Sequence, residues 1–313
     1  MTTLPLKIAL ATTAGARGLD DDMAPLVAAL ERLVVDVDVV DWDSGDVDWS
    51  SYDVVVLRST WDYTNRPDQF RAWTERVDQE TCLLNPAAIV AWNIDKHYLA
   101  ELQQVGIAIV PTRYVEPLDP VDQAIRAILD EFPDAQDFVV KPCIGAGSRD
   151  ARRHARADFA VAEAHVERLL AEQRSVMLQP YLERVDSAGE TALLHFDGRF
   201  SHAIRKGPLL QRGADSTTQL FAPEQIEARI PRADEHELAE RVVAAIPGDQ
   251  AMLYARIDLI RDNEGAPQLL ELELVEPSLF FAQCGHSEDR FAAAVVARAH
   301  TARSRREEHG QHS

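Results

Sequence analysis

Cysteine is scarce in this chain: three residues in 313, at Cys82, Cys143 and Cys284. They are far apart and match neither CxxC nor Cys/His ligand spacing. That excludes a disulfide scaffold and a small zinc module, and suits a reducing cytosol. Positive charge is also short, with 32 Lys and Arg against 52 Asp and Glu and a formal net charge of −20. Such an acidic surface repels a phosphate backbone, so nucleic acid is not an expected partner. No apolar run is long enough to cross a bilayer. Met1–Ala11 reads as a first strand and lacks the long apolar core and small-residue cleavage site of a signal peptide. The expectation is a cytoplasmic protein with no membrane partner. No Walker loop occurs, no GxGxxG follows the first strand, and His154, His195 and His202 have no partner at nucleophile–base or metal spacing.

What is present is a substantial apolar fraction, 46%, enough for two or three lobes around a cleft. The opening third alternates strand and helix: Leu6–Ala11, Met23–Leu33, Val35–Val40, Asp53–Leu57, then a helix opened by Pro67 through about Glu80. This order predicts a parallel sheet covered by helices. Asn93 is expected to cap a helix running to about Gln104. Beyond it come a helix to about Phe132, a strand at Phe138–Lys141, a helix at about Phe159–Glu172 and a strand at Val176–Gln179. A hairpin about Asp197-Gly198, a loop near Pro208–Thr218 and a helix at about Asp234–Ala245 follow. Strands Met252–Ile260 and Gln268–Val275, joined by Asn263–Gly265, precede a last helix at about Ser287–Ala302. The fold class is therefore α/β passing into α+β. The shift from parallel βαβ order to hairpin-linked strands predicts a first lobe followed by an α+β region, with the polar stretch 303–313 a disordered tail.

Several residues could carry chemistry. Arg256 and Asp258 share one face of a strand, as Glu271 and Glu273 do on its expected partner. Pairing those strands would gather three carboxylates, which raise one another's pKa unless a cation holds them; oxygen ligands of this kind suit Mg²⁺. The plain alternative is a solvated outer face. Lys141 ends a strand ahead of Gly145-Ala146-Gly147-Ser148, a loop able to place an ammonium and backbone N–H groups around phosphate, or merely a turn. Lys96 reads as a helix lysine, Gln179 to Leu182 as a strand end with free backbone groups, and Arg205-Lys206 as a strand pair facing phosphate or solvent.

Taken in order, these signals resemble the ATP-grasp superfamily of ligases, over about Asn93 to Ser278. The resemblance implies an ATP-grasp fold: 1–92 as an N-terminal parallel-sheet substrate domain, 93–178 as the central lid domain, and 179–302 as the C-terminal domain with the metal site. It implies ATP and Mg²⁺ as cofactors. Lys96 and Lys141 are similar to the two nucleotide lysines, and Gly145, Ala146, Gly147 and Ser148 to the mobile loop. Gln179 with the Tyr181 and Leu182 backbone resembles the adenine hinge, and Glu190 the ribose-binding residue. Asp258, Glu271 and Glu273 resemble the magnesium ligands. Arg256 and Arg205 resemble the arginines that stabilise acyl-phosphate oxygens. Two departures stand out: Glu273 sits where relatives usually carry Asn, and Glu276-Pro277-Ser278 where they often run Pro-Gly.

Within the superfamily, Arg58-Ser59-Thr60-Trp61-Asp62-Tyr63, Gly145–Arg149 and Glu276–Leu279 look most like the cyclo-ligase of cycloserine biosynthesis, which closes O-ureido-D-serine into a ring. Arg58, Ser59, Thr60, Trp61, Asp62, Tyr63 and Ser278 are then expected to bind a small amino-acid-like carboxylate. By analogy the chain would form a homodimer. The implied activity is formation of an acyl phosphate followed by attack of a nitrogen of the same molecule. An intermolecular carboxylate–amine ligase and a non-catalytic nucleotide-binding regulator remain the alternatives.

Overall fold

The structure is a computed structural model that describes residues 4–213 and 225–310. Three sheets follow one another along the chain. The first lobe runs β1 (Lys7–Thr12), α1 (Met23–Arg32), β2 (Asp36–Asp41), β3 (Val54–Leu57), α2 (Pro67–Glu80) and β4 (Cys82–Leu84). Its strands pair in parallel in the order β2-β1-β3-β4. The two central strands are apolar because both of their faces are covered, whereas β2, at the edge, alternates Asp with Val.

The second lobe begins with α3 (Ala87–Asn93) and α4 (Tyr98–Gln104). It continues through β5 (Arg113–Val115), α5 (Val121–Glu131), β6 (Asp137–Pro142), β7 (Arg152–Ala155), α6 (Phe159–Ala171) and β8 (Val176–Pro180). Its antiparallel sheet, β5-β8-β6-β7, is backed by α5 and α6, whose Ile125, Ile128, Val166 and Leu169 fill the space beneath. The third lobe contains α7 (Val185–Ala188), β9 (Glu190–Phe196), β10 (Arg199–Lys206), β11 (Ile226–Arg229), α8 (Ala233–Ala244), β12 (Tyr254–Arg261) and β13 (Pro267–Glu273). These strands form an antiparallel sheet in the order β11-β10-β9-β12-β13.

Three expectations require correction. Asn93 ends α3 rather than capping the next helix. Its buried amide donates to the Leu272 carbonyl at 2.8 Å and accepts from Leu274 N–H at 2.9 Å, tying the lobes together. Lys96 consequently lies in the connection between α3 and α4, not in a helical turn. The stretch from Arg303 is not disordered: α9 spans Ser287–Gly310 and packs Phe291, Val295 and Ala299 against Leu26 and Leu30 of α1. Charged residues continue the helix because they find partners. Arg303 and Arg306 both pair with Asp53, and Arg306 also donates to the Tyr52 carbonyl at 2.8 Å. The helix thus leaves the third lobe and closes over the first. Residues 311–313, and the part of the expected Pro208–Thr218 loop beyond Gly213, lie outside the described residues.

Asp53 offers a test of that closure. Burial pushes its carboxyl up, but hydrogen bonds from Arg303 and the Lys7 N–H outweigh it, so its pKa lies below the usual 3.8. A depressed carboxylate contributes stability above its unfolded pKa and loses it as pH falls. Asp53→Asn is expected to cost about 1 kcal/mol at neutral pH, a modest figure because Arg306 is well exposed. In thermal unfolding followed against pH, the gap between variant and parent should close below about pH 4. A gap that persists at low pH would assign the effect to packing instead.

Candidate active site

The face of the third sheet turned toward the second lobe carries alternating charged residues. In register, Arg256 lies opposite Glu273 and Asp258 opposite Glu271. Lys206 lies opposite Glu190 on the neighbouring hairpin. Period-two alternation places these side chains together on one wall, and the described residues enclose a cavity of roughly 390 Å³ against it. Lys96, Lys141, the Gly145–Ser148 loop, Gln179, Tyr181 and Leu182 line the same cavity.

Charges in the cavity are paired. Lys96 Nζ lies 3.0 Å from Glu271 Oε1 and donates to the Gly145 carbonyl at 2.8 Å, so it joins the acidic wall to the glycine loop. Burial lowers the Lys96 pKa, but Glu271 reverses the effect and the ammonium is held above its ordinary value. Lys206 Nζ bridges Asp258 Oδ2 at 2.6 Å and Glu190 Oε2 at 2.9 Å. Arg256 grips both Asp258 oxygens at 2.9 Å and also reaches Glu273. Lys141 differs: it makes no ion pair or hydrogen bond among the described residues. Burial lowers its pKa, and Glu271 offsets that only partly while Lys96 adds to it.

The carboxylates separate by partner. Asp258 is buried, which raises its pKa, yet Arg256 and Lys206 overcome this and hold it at about 2. Glu273 goes the other way, pushed up to about 8 by burial and by Glu271 and Asp258 despite Arg256. Glu276 is likewise raised to about 7, chiefly by burial. Carboxyls held neutral beside ionised ones mark a place short of positive charge, and an all-oxygen donor set fits a hard divalent cation such as Mg²⁺. Glu271 and Glu273 line the cavity and fit that role directly. Asp258 does not line it, because both of its oxygens are taken by Arg256 and Lys206.

The glycine loop is shaped by its backbone. A Cβ at Gly145 would come within 3.1 Å of Pro142, and Gly147 and Ser148 have φ of 62° and 59°. Arg149, which follows, donates to the Trp61 carbonyl at 2.8 Å and to Thr64 Oγ1, so the loop is latched to the first lobe. At the end of β8, Gln179 donates to Thr112 Oγ1 at 2.8 Å, beside an apolar stretch of the lining made by Val110, Val139, Leu210, Ile260 and Leu270.

Of the residues singled out from sequence, Lys96, Lys141, Gly145, Ala146, Gly147, Ser148, Gln179, Tyr181, Leu182, Glu190, Arg256, Glu271, Glu273 and Ser278 all line the cavity. Others do not. Arg205 points to the opposite face of its strand, where Nε donates to the Ala188 carbonyl at 2.9 Å; its neighbour Lys206 occupies the cavity. From the Arg58–Tyr63 loop only Trp61 and Tyr63 reach the cavity. Arg58 is 1% exposed, faces Asp20 and Asp22 at 3.7 and 3.8 Å, and donates to the Pro277 carbonyl. Ser59 bonds Thr12, Thr60 is buried, and Asp62 accepts from Trp42 and Arg66. These residues build the loop without touching its contents. Glu276 and Lys206 were legible as motif neighbours, but strand parity was needed to choose Lys206 over Arg205.

Known proteins resemble this chain in sequence and in fold. Residues 8–85 match the family model described as the N-terminal domain of the D-cycloserine synthetase DcsG. The cycloserine biosynthesis protein DcsG of Streptomyces lavendulae is 40% identical over 295 residues, covering 93% of this chain and 98% of that protein. The crystal structure of D-cycloserine synthetase DcsG superposes with a TM-score of 0.87 at 39% identity, over 94% of this chain and 99% of the other. D-alanine–D-alanine ligase from Bacillus anthracis shares the fold, with a TM-score of 0.66 at 14% identity over 98% of this chain and 100% of that one. This chain belongs to the DcsG family of ATP-grasp enzymes and is an ATP-dependent ligase.

Proposed function

We propose that the enzyme forms an acyl phosphate on a small amino-acid-like carboxylate and closes that molecule into a ring through one of its own nitrogens, with an O-ureido-serine type substrate. The observation that carries this is the gathering of Lys96, Lys141, Glu271 and Glu273 around a single cavity, in a chain so similar to DcsG. The adenine would lie on the apolar stretch of the lining, against the Tyr181–Leu182 backbone, with Glu190 at the ribose. Lys96, Lys141 and the loop N–H groups would surround the phosphates. Mg²⁺ would be held by Glu271 and Glu273 with Asp258 beside them, supplying charge neutralisation on the phosphates.

The protein's own task is positioning and charge balance. A carboxylate oxygen of the substrate takes the γ-phosphoryl group of ATP, and ADP leaves. Arg256 faces the charge that accumulates on the acyl-phosphate oxygens. The substrate nitrogen then attacks the activated carbonyl, its N–C bond forms, and the C–O bond to phosphate breaks. The latch from Arg149 to Trp61 shuts the loop over the site and excludes water, which would hydrolyse the intermediate.

Phosphate release measured across small amino acids, each with and without added amines, tests this reading. O-ureido-D-serine alone should support ADP and phosphate release. Release only after adding an amine would assign an intermolecular ligase, and nucleotide binding with no substrate-stimulated phosphate release would leave a non-catalytic nucleotide-binding regulator.

A further inference from the structure

The segment after β13 is pinned at every residue. Asn93 accepts from Leu274 N–H at 2.9 Å, and the Tyr254 hydroxyl donates to the Val275 carbonyl at 2.8 Å. Trp61 Nε1 donates to the Glu276 carbonyl at 3.1 Å, Arg58 to that of Pro277 at 3.2 Å, and Arg256 to that of Ser278 at 3.3 Å. Asp22 then accepts the N–H groups of Leu279, Phe280 and Phe281 at 2.6, 3.0 and 2.9 Å. Phe280 is held in the left-handed region with φ of 53°. So much fixation around a connecting segment has a consequence: the Glu276 side chain, 8% exposed, has one place to go, the wall of the cavity.

Glu276 stands apart from the other cavity carboxylates there. Glu190, Asp258, Glu271 and Glu273 each have an ammonium or guanidinium partner. Glu276 has the Tyr63 hydroxyl; Lys96 and Arg256 act on it from further off, and no ion pair joins it to a cation of the described residues. The Tyr63 ring is stacked on Phe70, centroids 4.9 Å apart, which fixes where its hydroxyl sits. A buried carboxylate without a cation is costly unless a ligand brings one. Trp61 and Tyr63 line the cavity beside it, and an aromatic lining suits an organic ammonium better than a hydrated metal ion. Arg256, whose guanidinium lies 5.5 Å from the Phe280 ring centroid, lines the same end and offers a partner for a carboxylate.

We infer that Glu276, flanked by Trp61 and Tyr63, is the seat of the substrate's ammonium group and restricts the enzyme to α-amino acids over plain carboxylic acids. This rests on the small-carboxylate reading above and adds to it a residue that determines specificity. Arg58, Asp20 and Asp22 act through it, as positioning residues for the segment that carries it.

The test is calorimetric binding of O-ureido-D-serine and of its des-amino analogue, ureidooxypropanoate, in the presence of a non-hydrolysable ATP analogue, followed by turnover of both. Wild type should prefer the amine-bearing compound. Glu276→Gln should weaken its binding by roughly 10- to 100-fold, the range for losing a hydrogen bond to a charged group. The des-amino compound and the nucleotide should bind as before, and Glu276→Asp should keep part of the preference. Unchanged nucleotide affinity and unfolding temperature exclude a misfolded variant. Equal losses for both compounds, an unmoved affinity for the amine, or binding of neither compound would overturn the seat. If binding discriminates but no phosphate is released, the seat stands and the proposed reaction falls; turnover without discrimination gives the reverse.

Discussion

Glu271→Gln should lower substrate-dependent ADP release by about a thousandfold, the scale for losing one preorganised electrostatic contact in an active site, while leaving the fold in place. The side chain joins the acidic wall to Lys96: its carboxylate pairs with that ammonium at 3.0 Å and lies opposite Asp258 on the neighbouring strand. Burial raises its pKa, yet Lys96 and Lys141 reverse this and keep it ionised. Glutamine has the same shape and can still accept from Lys96, so packing changes little. What disappears is one negative charge at the place that would hold Mg²⁺, together with half of the ion pair that aims Lys96 at the glycine loop. The expected pattern is a much lower kcat, a weaker dependence of ATP affinity on added magnesium, and an unfolding temperature close to that of the parent. A folded Glu271→Gln enzyme that turns over normally would sink both the metal assignment and the role of this wall.

Much of this site could be read from spacing alone, because strands impose a strict period of two. Arg256 with Asp258 and Glu271 with Glu273 needed only correct pairing across the Asn263–Gly265 turn, and that pairing is observed. The same parity shows why Arg205 is misleading. It and Lys206 are adjacent cations on one strand, and nothing local tells which faces inward. The structural reason lies at Gly189, where a Cβ would come 2.4 Å from the Lys206 carbonyl and 2.8 Å from Arg205 Nε. The chain there passes tightly behind β10 and captures the Arg205 guanidinium on its carbonyls, which turns Lys206 toward Asp258.

Arg58 presents a different limit. An arginine after a parallel strand is a fair candidate for a ligand contact, but its acidic partners come from Asp20 and Asp22, far away in sequence. Two short strands, β5 and β7, have too few residues to show a pattern; they exist because β8 and β6 offer edges to pair with. The tail of α9 was illegible for a related reason. Its arginines depend on partners some 250 residues or more earlier: Asp53 and the carbonyls of Leu4, Pro5 and Tyr52.

Lys141→Met should move stability and affinity in opposite directions, which no purely structural role would do. The lysine has no ion-pair partner among the described residues, burial depresses its pKa, and Lys96 repels it. An ammonium held in that position destabilises the empty protein and is useful only when an anion arrives. Methionine preserves the length and most of the volume while removing the charge. The ligand-free variant should therefore unfold at an equal or higher temperature than the parent, by up to about 1 kcal/mol of added stability. Its affinity for ATP should fall about a hundredfold, consistent with truncating one side of a buried charge pair. Lys96→Met should behave otherwise, because that ammonium already pairs with Glu271 and bonds Gly145; its loss should cost stability as well as turnover. Thermal unfolding and nucleotide titration of both variants separate the two lysines. A Lys141→Met protein that is less stable and still binds ATP tightly would show that this lysine has been misread.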